Sequence, residues 1–165
     1  MSIESVRAFF AEKAPDITVI ESTMSSATVP LAAEAYGVEP GRIAKTLSLR
    51  VGDRVVLIVA SGTARMDNKK LKAAFGGKPK MLGVEEVAEI TGHEVGGVCP
   101  FGLKTPLPVY CDVSLKAFDE VVPAAGSIHS AVRIAPVRMA ELVAAEWVEP
   151  AAGTTTSNAF SDTSQ

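Results

Sequence analysis

Lys45 stands at the start of an alternating run, with Leu47, Leu49 and Val51 on its own face and Thr46, Ser48 and Arg50 on the other. If that face turns inward, an ammonium sits at the edge of an apolar interior, where burial disfavours its charged form. Two readings follow. The stem can lie on the core while the head reaches water. Alternatively, the side chain lines a pocket and aims a charge or an amine at a ligand. A second feature is the segment Gly92 to Gly102, with four glycines and one proline in eleven residues. Such a loop turns tightly and lets backbone come close to a ligand, and successive N–H groups can cradle a carbonyl or an oxyanion. It is neither GxGxxG nor a P-loop, because no Gly-Lys-Ser/Thr follows. An ordinary tight connection explains it equally well.

Cys99 lies inside this loop. Paired with His93 or His129 it would be a thiol nucleophile; unpaired it is a small buried residue. His129, in Ala124-Ala125-Gly126-Ser127-Ile128-His129-Ser130, is either a ligand contact or a surface histidine. Two histidines without clustered carboxylates argue against a catalytic metal. Cys99 and Cys111 are twelve apart, which is neither a CxxC pair nor a zinc spacing. A basic stretch carries Arg65, Lys69, Lys70, Lys72, Lys78 and Lys80 against the single acid Asp67. It is a phosphate-binding face or simply a solvated one.

The elements that must position these residues are legible in outline. Ser2 can cap a first helix with Ile3, Val6, Phe9 and Phe10 inward. The β-branched run Ile17 to Ile20 predicts a strand. Thr28 caps a helix with Pro30 in its first turn, and Gly37 ends it. Lys45 to Val51 and Arg54 to Ala60 form a hairpin around Gly52-Asp53. Asp67 caps a helix through Leu71, Ala74 and Phe75, stopped by Gly76-Gly77. A strand at Lys80 to Leu82 and a helix from Val84 to Thr91 follow. Further strands are expected at Pro108 to Asp112, Glu120 to Ala125 and Ala131 to Ile134. Pro136 opens a last helix with Met139, Leu142 and Val143 inward. Strands and helices do not alternate regularly. That predicts an α/β fold with a mixed, barrel-like sheet and helices outside, rather than a doubly wound parallel sheet.

Length and composition set the frame. The 165 residues suit one domain, with a body over 1–150 and a small, polar, disordered tail over 151–165. Apolar residues make up 47% and charged residues 21%, so wholesale disorder is excluded. A net charge of −3 excludes a basic nucleic-acid-coating protein but not contact over a small patch. The longest apolar run, Val55 to Ala60, is too short for a bilayer. The first residues carry acids and no signal-peptide core, so a cytoplasmic protein with reduced thiols is expected.

Three segments occur in a telling order: Arg42-Ile43-Ala44-Lys45-Thr46-Leu47, Met66-Asp67-Asn68-Lys69-Lys70-Leu71 and Thr91-Gly92-His93-Glu94-Val95-Gly96-Gly97-Val98-Cys99-Pro100-Phe101-Gly102. Together they resemble the YbaK/ProX family, free-standing relatives of the editing domain inserted in bacterial prolyl-tRNA synthetase. The resemblance spans roughly Ile17 to Glu146. It implies a mixed α/β fold with a central barrel-like sheet. It also implies hydrolysis, in trans, of the ester joining a wrong amino acid to the tRNA 3′ end, without metal or other cofactor. Lys45 matches the family's essential lysine, and Gly96, Gly97 and Val98 match the loop against the aminoacyl-adenosine. The neighbouring ribose hydroxyl is implied to assist. Where members like the Cys-tRNA(Pro) deacylase have Ser-Gly-Gly, this chain has Ala124-Ala125-Gly126, and it has Ala131 where they have a nearby Asp. The resemblance therefore implies another subtype. Gly126 and His129 would contact a small amino acid such as alanine, serine, threonine or cysteine. An apolar pocket separates these poorly, at about 1–3 kcal/mol per methylene or hydroxyl.

The low net charge predicts weak affinity for tRNA alone, aided by Lys69, Lys70 and Lys72 or by a partner synthetase. The rival expectation is a non-catalytic module that senses an aminoacyl or nucleotide end with the same pocket.

Overall fold

A computed structural model describes residues 2–149; the tail expected at 151–165 lies outside the described residues. Helix α1 (Ser2–Lys13) buries Val6 and Phe10 and leads to a short β1 (Ile20–Glu21). Helix α2 (Val29–Tyr36) is capped as its sequence requires. Thr28 Oγ1 accepts from Leu31 N at 3.3 Å, Pro30 sits in the first turn, and Gly37 ends the helix at φ 66°. A 3-10 turn, Pro40–Arg42, feeds β2 (Ile43–Val51), which turns back into β3 (Arg54–Ser61). Asp67 accepts from the N–H groups of Lys69 and Lys70 and so opens α3 (Asn68–Phe75). Then follow β4 (Pro79–Met81), α4 (Val84–Thr91), β5 (Val109–Asp112), β6 (Val122–Pro123), β7 (Ser130–Ala131), α5 (Pro136–Leu142) and β8 (Glu146–Val148).

The architecture is the mixed α/β one expected. The main sheet runs β4-β2-β3-β5-β8, with β6 also on β2. The β2–β3 hairpin is antiparallel, with Lys45 opposite Ala60, whereas β3–β5, β5–β8 and β2–β6 are parallel. Strands β1 and β7 form a separate two-stranded ribbon.

Several elements differ from expectation, for local reasons. The strand expected at Ile17 to Ile20 is confined to Ile20–Glu21, because only those residues find a partner, in Ser130–Ala131. Likewise β6 and β7 are two-residue strands; single bridges, Val121 to Ile134 and Ala124 to Ala131, replace longer ladders. Ala74 is exposed, so α3 packs through Leu71 and Phe75 alone. The 3-10 turn Val113–Ala117 and strand β8 have no strong local pattern that would predict them.

Among the described residues, three apolar clusters hold these layers. The largest joins α1, the Cys99–Phe101 segment, β5 and α5, with Phe10 and Phe101 rings 4.7 Å apart. A second lies under α3, around Leu49, Val51, Val56 and Ile58. The third packs Ala32, Ala33 and Tyr36 of α2 against Ile43, Val122 and Ala131. It forms part of one wall of the site.

Candidate functional site

Strand β2 shares its outer edge between two short strands. Strand β6 covers Ile43 and Ala44, and β4 covers Leu49 to Val51. Leu82 N extends the second pairing by donating to Ser48 O at 3.1 Å. Between them, among the described residues, no strand lies on this edge at Lys45 to Leu47. The backbone of Thr46, two residues from Ser48, faces the same edge. A cavity of about 280 Å³ opens here. Its walls come from β2 (Ala44, Lys45, Thr46, Ser48), α2, α4, the Gly92 to Gly102 loop and the Ala124 to Ala131 segment.

Lys45 enters this site half-buried. Its Nζ donates to Ala64 O and, at 3.4 Å, to Gly62 O. The small residue opposite, Ala60, leaves room for the stem to reach those carbonyls past the end of β3. Burial pulls the Lys45 pKa below the ordinary lysine value; Asp112 opposes that and Arg65 reinforces it. An ammonium has three donors. The two carbonyls leave one N–H for a ligand.

The loop owes its shape to two glycines with different reasons. Gly97 N donates to Glu94 O at 2.9 Å, closing a turn in which Gly96 takes φ 94°. Only glycine adopts that conformation readily at the third position of such a turn. Gly97 has no room for a side chain: a Cβ there would lie 2.6 Å from Ser127 N and 2.7 Å from its Cα. Gly126 N donates to Gly97 O at 3.0 Å and ties the two segments together. The Gly97 N–H is thus occupied. Those of Gly96 and Val98, which line the cavity, have no protein partner among the described residues.

Of the residues expected to act, Lys45, Gly96 and Val98 are brought together around the cavity. Gly97 and Gly126 stand behind it as the fastening. His129 is exposed, with Nδ1 3.2 Å from Met24 O, and does not line the cavity. Lys69, Lys70 and Lys72 are carried by α3, whose Leu71 and Phe75 pack on the Leu49 and Val51 side chains, away from the cavity lining. Among the described residues, no His, Cys, Asp or Glu lines the cavity, and no group of three or more of them could hold a metal ion.

Sequence reasoning missed the cavity's hydroxyls: Ser26, Thr28, Tyr36, Thr46, Ser48 and Ser130. The signal for two of them was present. Thr46 and Ser48 alternate with Leu47 and Leu49, which reads as a solvent face, yet the directly opposed residues of β3 on that face are Val59 and Leu57.

The thiol alternative fails on geometry. Cys99 is fully buried, its thiol is pushed up to about 12 by burial, and it does not line the cavity. Its Sγ donates to Phe101 O at 3.7 Å and lies 3.7 Å from Nε2 of His93, which is itself 2.8 Å from the same carbonyl. These groups pack the base of the loop. Cys99→Ala is expected to leave any hydrolytic rate of the protein within about twofold of wild type and to cost about 1 kcal/mol of stability. Paired rate and melting measurements check this, and a thousandfold loss of rate would restore the thiol reading.

Comparison with known sequences settles the family. The family described as the aminoacyl-tRNA editing domain matches residues 23–142. The chain belongs to this family. The match spans β2, the glycine loop and α5, so the cavity lies inside the editing domain. YwhH of Bacillus subtilis is 53% identical over 86% of this chain and 90% of its own length. An Enterococcus faecalis protein named "Putative Cys-tRNA(Pro)/Cys-tRNA(Cys) deacylase EbsC" is 32% identical over 71% of this chain and 73% of its own. A solved structure described as "a putative trans-editing enzyme for prolyl tRNA synthetase" superposes with a TM-score of 0.86 at 33% identity, covering 92% of this chain and 98% of that one. The editing domain therefore has the fold expected of it. No helix of its described residues is long and apolar enough to cross a membrane.

Proposed function

We propose that this editing domain is a trans-acting deacylase that hydrolyses the ester of a tRNA mischarged with a small amino acid. The carrying observation is the cavity of about 280 Å³ that Lys45, Gly96 and Val98 line together, the N–H groups of the last two having no protein partner among the described residues. An ester is already activated, so an oriented water and a stabilised oxyanion suffice. Water attacks the carbonyl carbon, and negative charge develops on the carbonyl oxygen. The remaining Lys45 N–H and the loop N–H groups meet that charge. The bond to the ribose oxygen breaks, and that oxygen leaves with a proton. No histidine, thiol or carboxylate of the described residues lines the cavity to take the proton from water. The adjacent ribose hydroxyl is the proton-transfer group nearest the reacting bond.

In this reading Gly97 and Gly126 hold the loop, and His129, outside the cavity lining, does not touch the ester. Lys69 and Lys72, exposed on α3, and Lys70 are candidates for phosphate contacts along the tRNA. The names of the E. faecalis relative and the structural neighbour support a tRNA substrate, and the latter a link to a synthetase.

The test is hydrolysis of a panel of Ala-, Ser-, Thr-, Cys- and Pro-tRNAs by the wild-type protein. Clearance of one or more supports the proposal. If none is cleared while aminoacyl-tRNA still binds, the domain is a sensor and the proposal falls.

A further inference from the structure

Among the described residues, Asp112 is the only acidic side chain that is buried, at 0% exposure. A carboxylate taken out of water is costly unless an opposite charge and hydrogen bonds meet it. Its local task needs no charge. Asp112 ends β5 and caps the 3-10 turn Val113–Ala117, its Oδ2 accepting from Ser114 N at 2.9 Å. Asparagine or serine would cap that turn as well.

The sheet shows what the charge faces. Lys45 in β2 stands opposite Ala60 in β3, and Val59 pairs with Cys111 in β5. One residue further along, Asp112 comes beside Ala60. Residues paired across neighbouring strands share a face of the sheet. Lys45, Ala60 and Asp112 thus form a row across three strands, with only the Ala60 methyl between the cation and the anion.

The turn that follows β3 joins the same residues. Lys45 Nζ rests on Gly62 O and Ala64 O. Ser61, just before that turn, donates its N–H to Ser114 Oγ at 3.1 Å and its hydroxyl to Gly41 O at 2.6 Å. Asp112, Ser114, Ser61 and the two carbonyls form one frame around the ammonium. Among the described residues, two charged side chains act on Lys45. Burial favours the neutral amine, the Asp112 carboxylate opposes burial, and Arg65, in the segment after β3, adds to it. Strands β3 and β6, which flank this end of β2, bring Ala60, Ser61, Val122 and Pro123 and no titratable group.

We infer that Asp112 is a positioning residue: its buried carboxylate holds the Lys45 head group in the charged form, while Ser114 and Ser61 fix the turn on which that head group rests. The inference rests on the deacylase reading, in which Lys45 supplies a donor to the developing oxyanion.

Asp112→Asn tests this, because it keeps an acceptor for Ser114 N and removes only the charge. Lys45 is titrated by NMR on protein with isotope-labelled lysines, its signal assigned by its absence from Lys45→Ala. On the same samples kcat/KM is followed against pH, with an ester that the wild type clears. In Asp112→Asn the ammonium is expected to lose its proton at lower pH than in the wild type. The alkaline fall in kcat/KM is expected to move the same way, with a loss of at least about fivefold at the pH where the wild type begins to fall. A merely structural fault would lower the rate alike at every pH. Melting is measured alongside, and Asp112→Ser serves as the uncharged variant if the asparagine does not fold. A Lys45 titration unchanged from wild type overturns the inference and leaves the deacylase reading standing. A shifted titration with an unmoved rate profile overturns the role of Asp112 in the reaction. If the wild type clears no ester of the panel, the deacylase reading falls and this role falls with it.

Discussion

Lys45→Ala is expected to lose at least about a hundredfold in kcat/KM on whichever ester the wild type clears, because removing one oxyanion donor costs about 10²–10³ in related chemistry. The protein is expected to remain folded. The substitution removes a half-buried ammonium, which relieves desolvation, but it takes the donor from Gly62 O and Ala64 O. These effects oppose one another, so the melting temperature should move by only a few degrees, about what a 1 kcal/mol change gives at this size. Lys45→Arg should not rescue. Its planar fork is fixed in geometry and longer, whereas the ammonium must satisfy two carbonyls and still present a third N–H. Retained activity in Lys45→Ala would remove the lysine from the chemistry.

The same residue fixes the sign of a pH effect. Burial lowers the Lys45 pKa, so its proton leaves at lower pH than the ordinary 10.5. After subtraction of uncatalysed hydrolysis, which rises with hydroxide, the catalysed rate should fall on the alkaline side, beginning below that value. Arg65 contributes to the lowering, so Arg65→Ala should move the fall to higher pH. A profile that stays flat through the lysine range would show that the charge is not needed.

Gly97→Ala is the second large effect expected. The added methyl would sit 2.6 Å from Ser127 N and 2.8 Å from Ser127 C, against backbone rather than a yielding side chain. The loop must move away, which breaks the bond from Gly126 N to Gly97 O and shifts the Gly96 and Val98 N–H groups. Overpacking of this kind costs about 1–3 kcal/mol, so melting should drop by about 3–10 °C. Misplacement of donors by about 1 Å can cost a hundredfold in rate, and kcat/KM should fall by about that factor. Gly37→Ala is the contrast: it has φ 66° but nothing within 4 Å of an added Cβ. It should cost about 1 kcal/mol through backbone strain and leave the rate alone. Equal rate losses in the two variants would mean that instability, not the loop's position, is responsible.

Much of this protein is written locally. Caps and stops at Thr28, Gly37, Asp67 and Gly76 place two helices because one side chain or one left-handed residue decides each end. Alternation from Lys45 to Val51 and the Gly52-Asp53 turn place the hairpin, because neighbours in sequence are neighbours in the ladder. The order of the Lys45 segment and the glycine loop pointed to the editing family. Other features depended on which distant segments meet. Strands of two residues, such as β6 and β7, exist only because partners far along the chain reach them. The cavity arises because β6 and β4 cover the two ends of β2 and leave its middle bare. That gap turns Thr46 from an apparent solvent-facing residue into a cavity wall. The alternation period of a strand tells which residues share a face. What lies over that face is decided by the packing of chain tens of residues away.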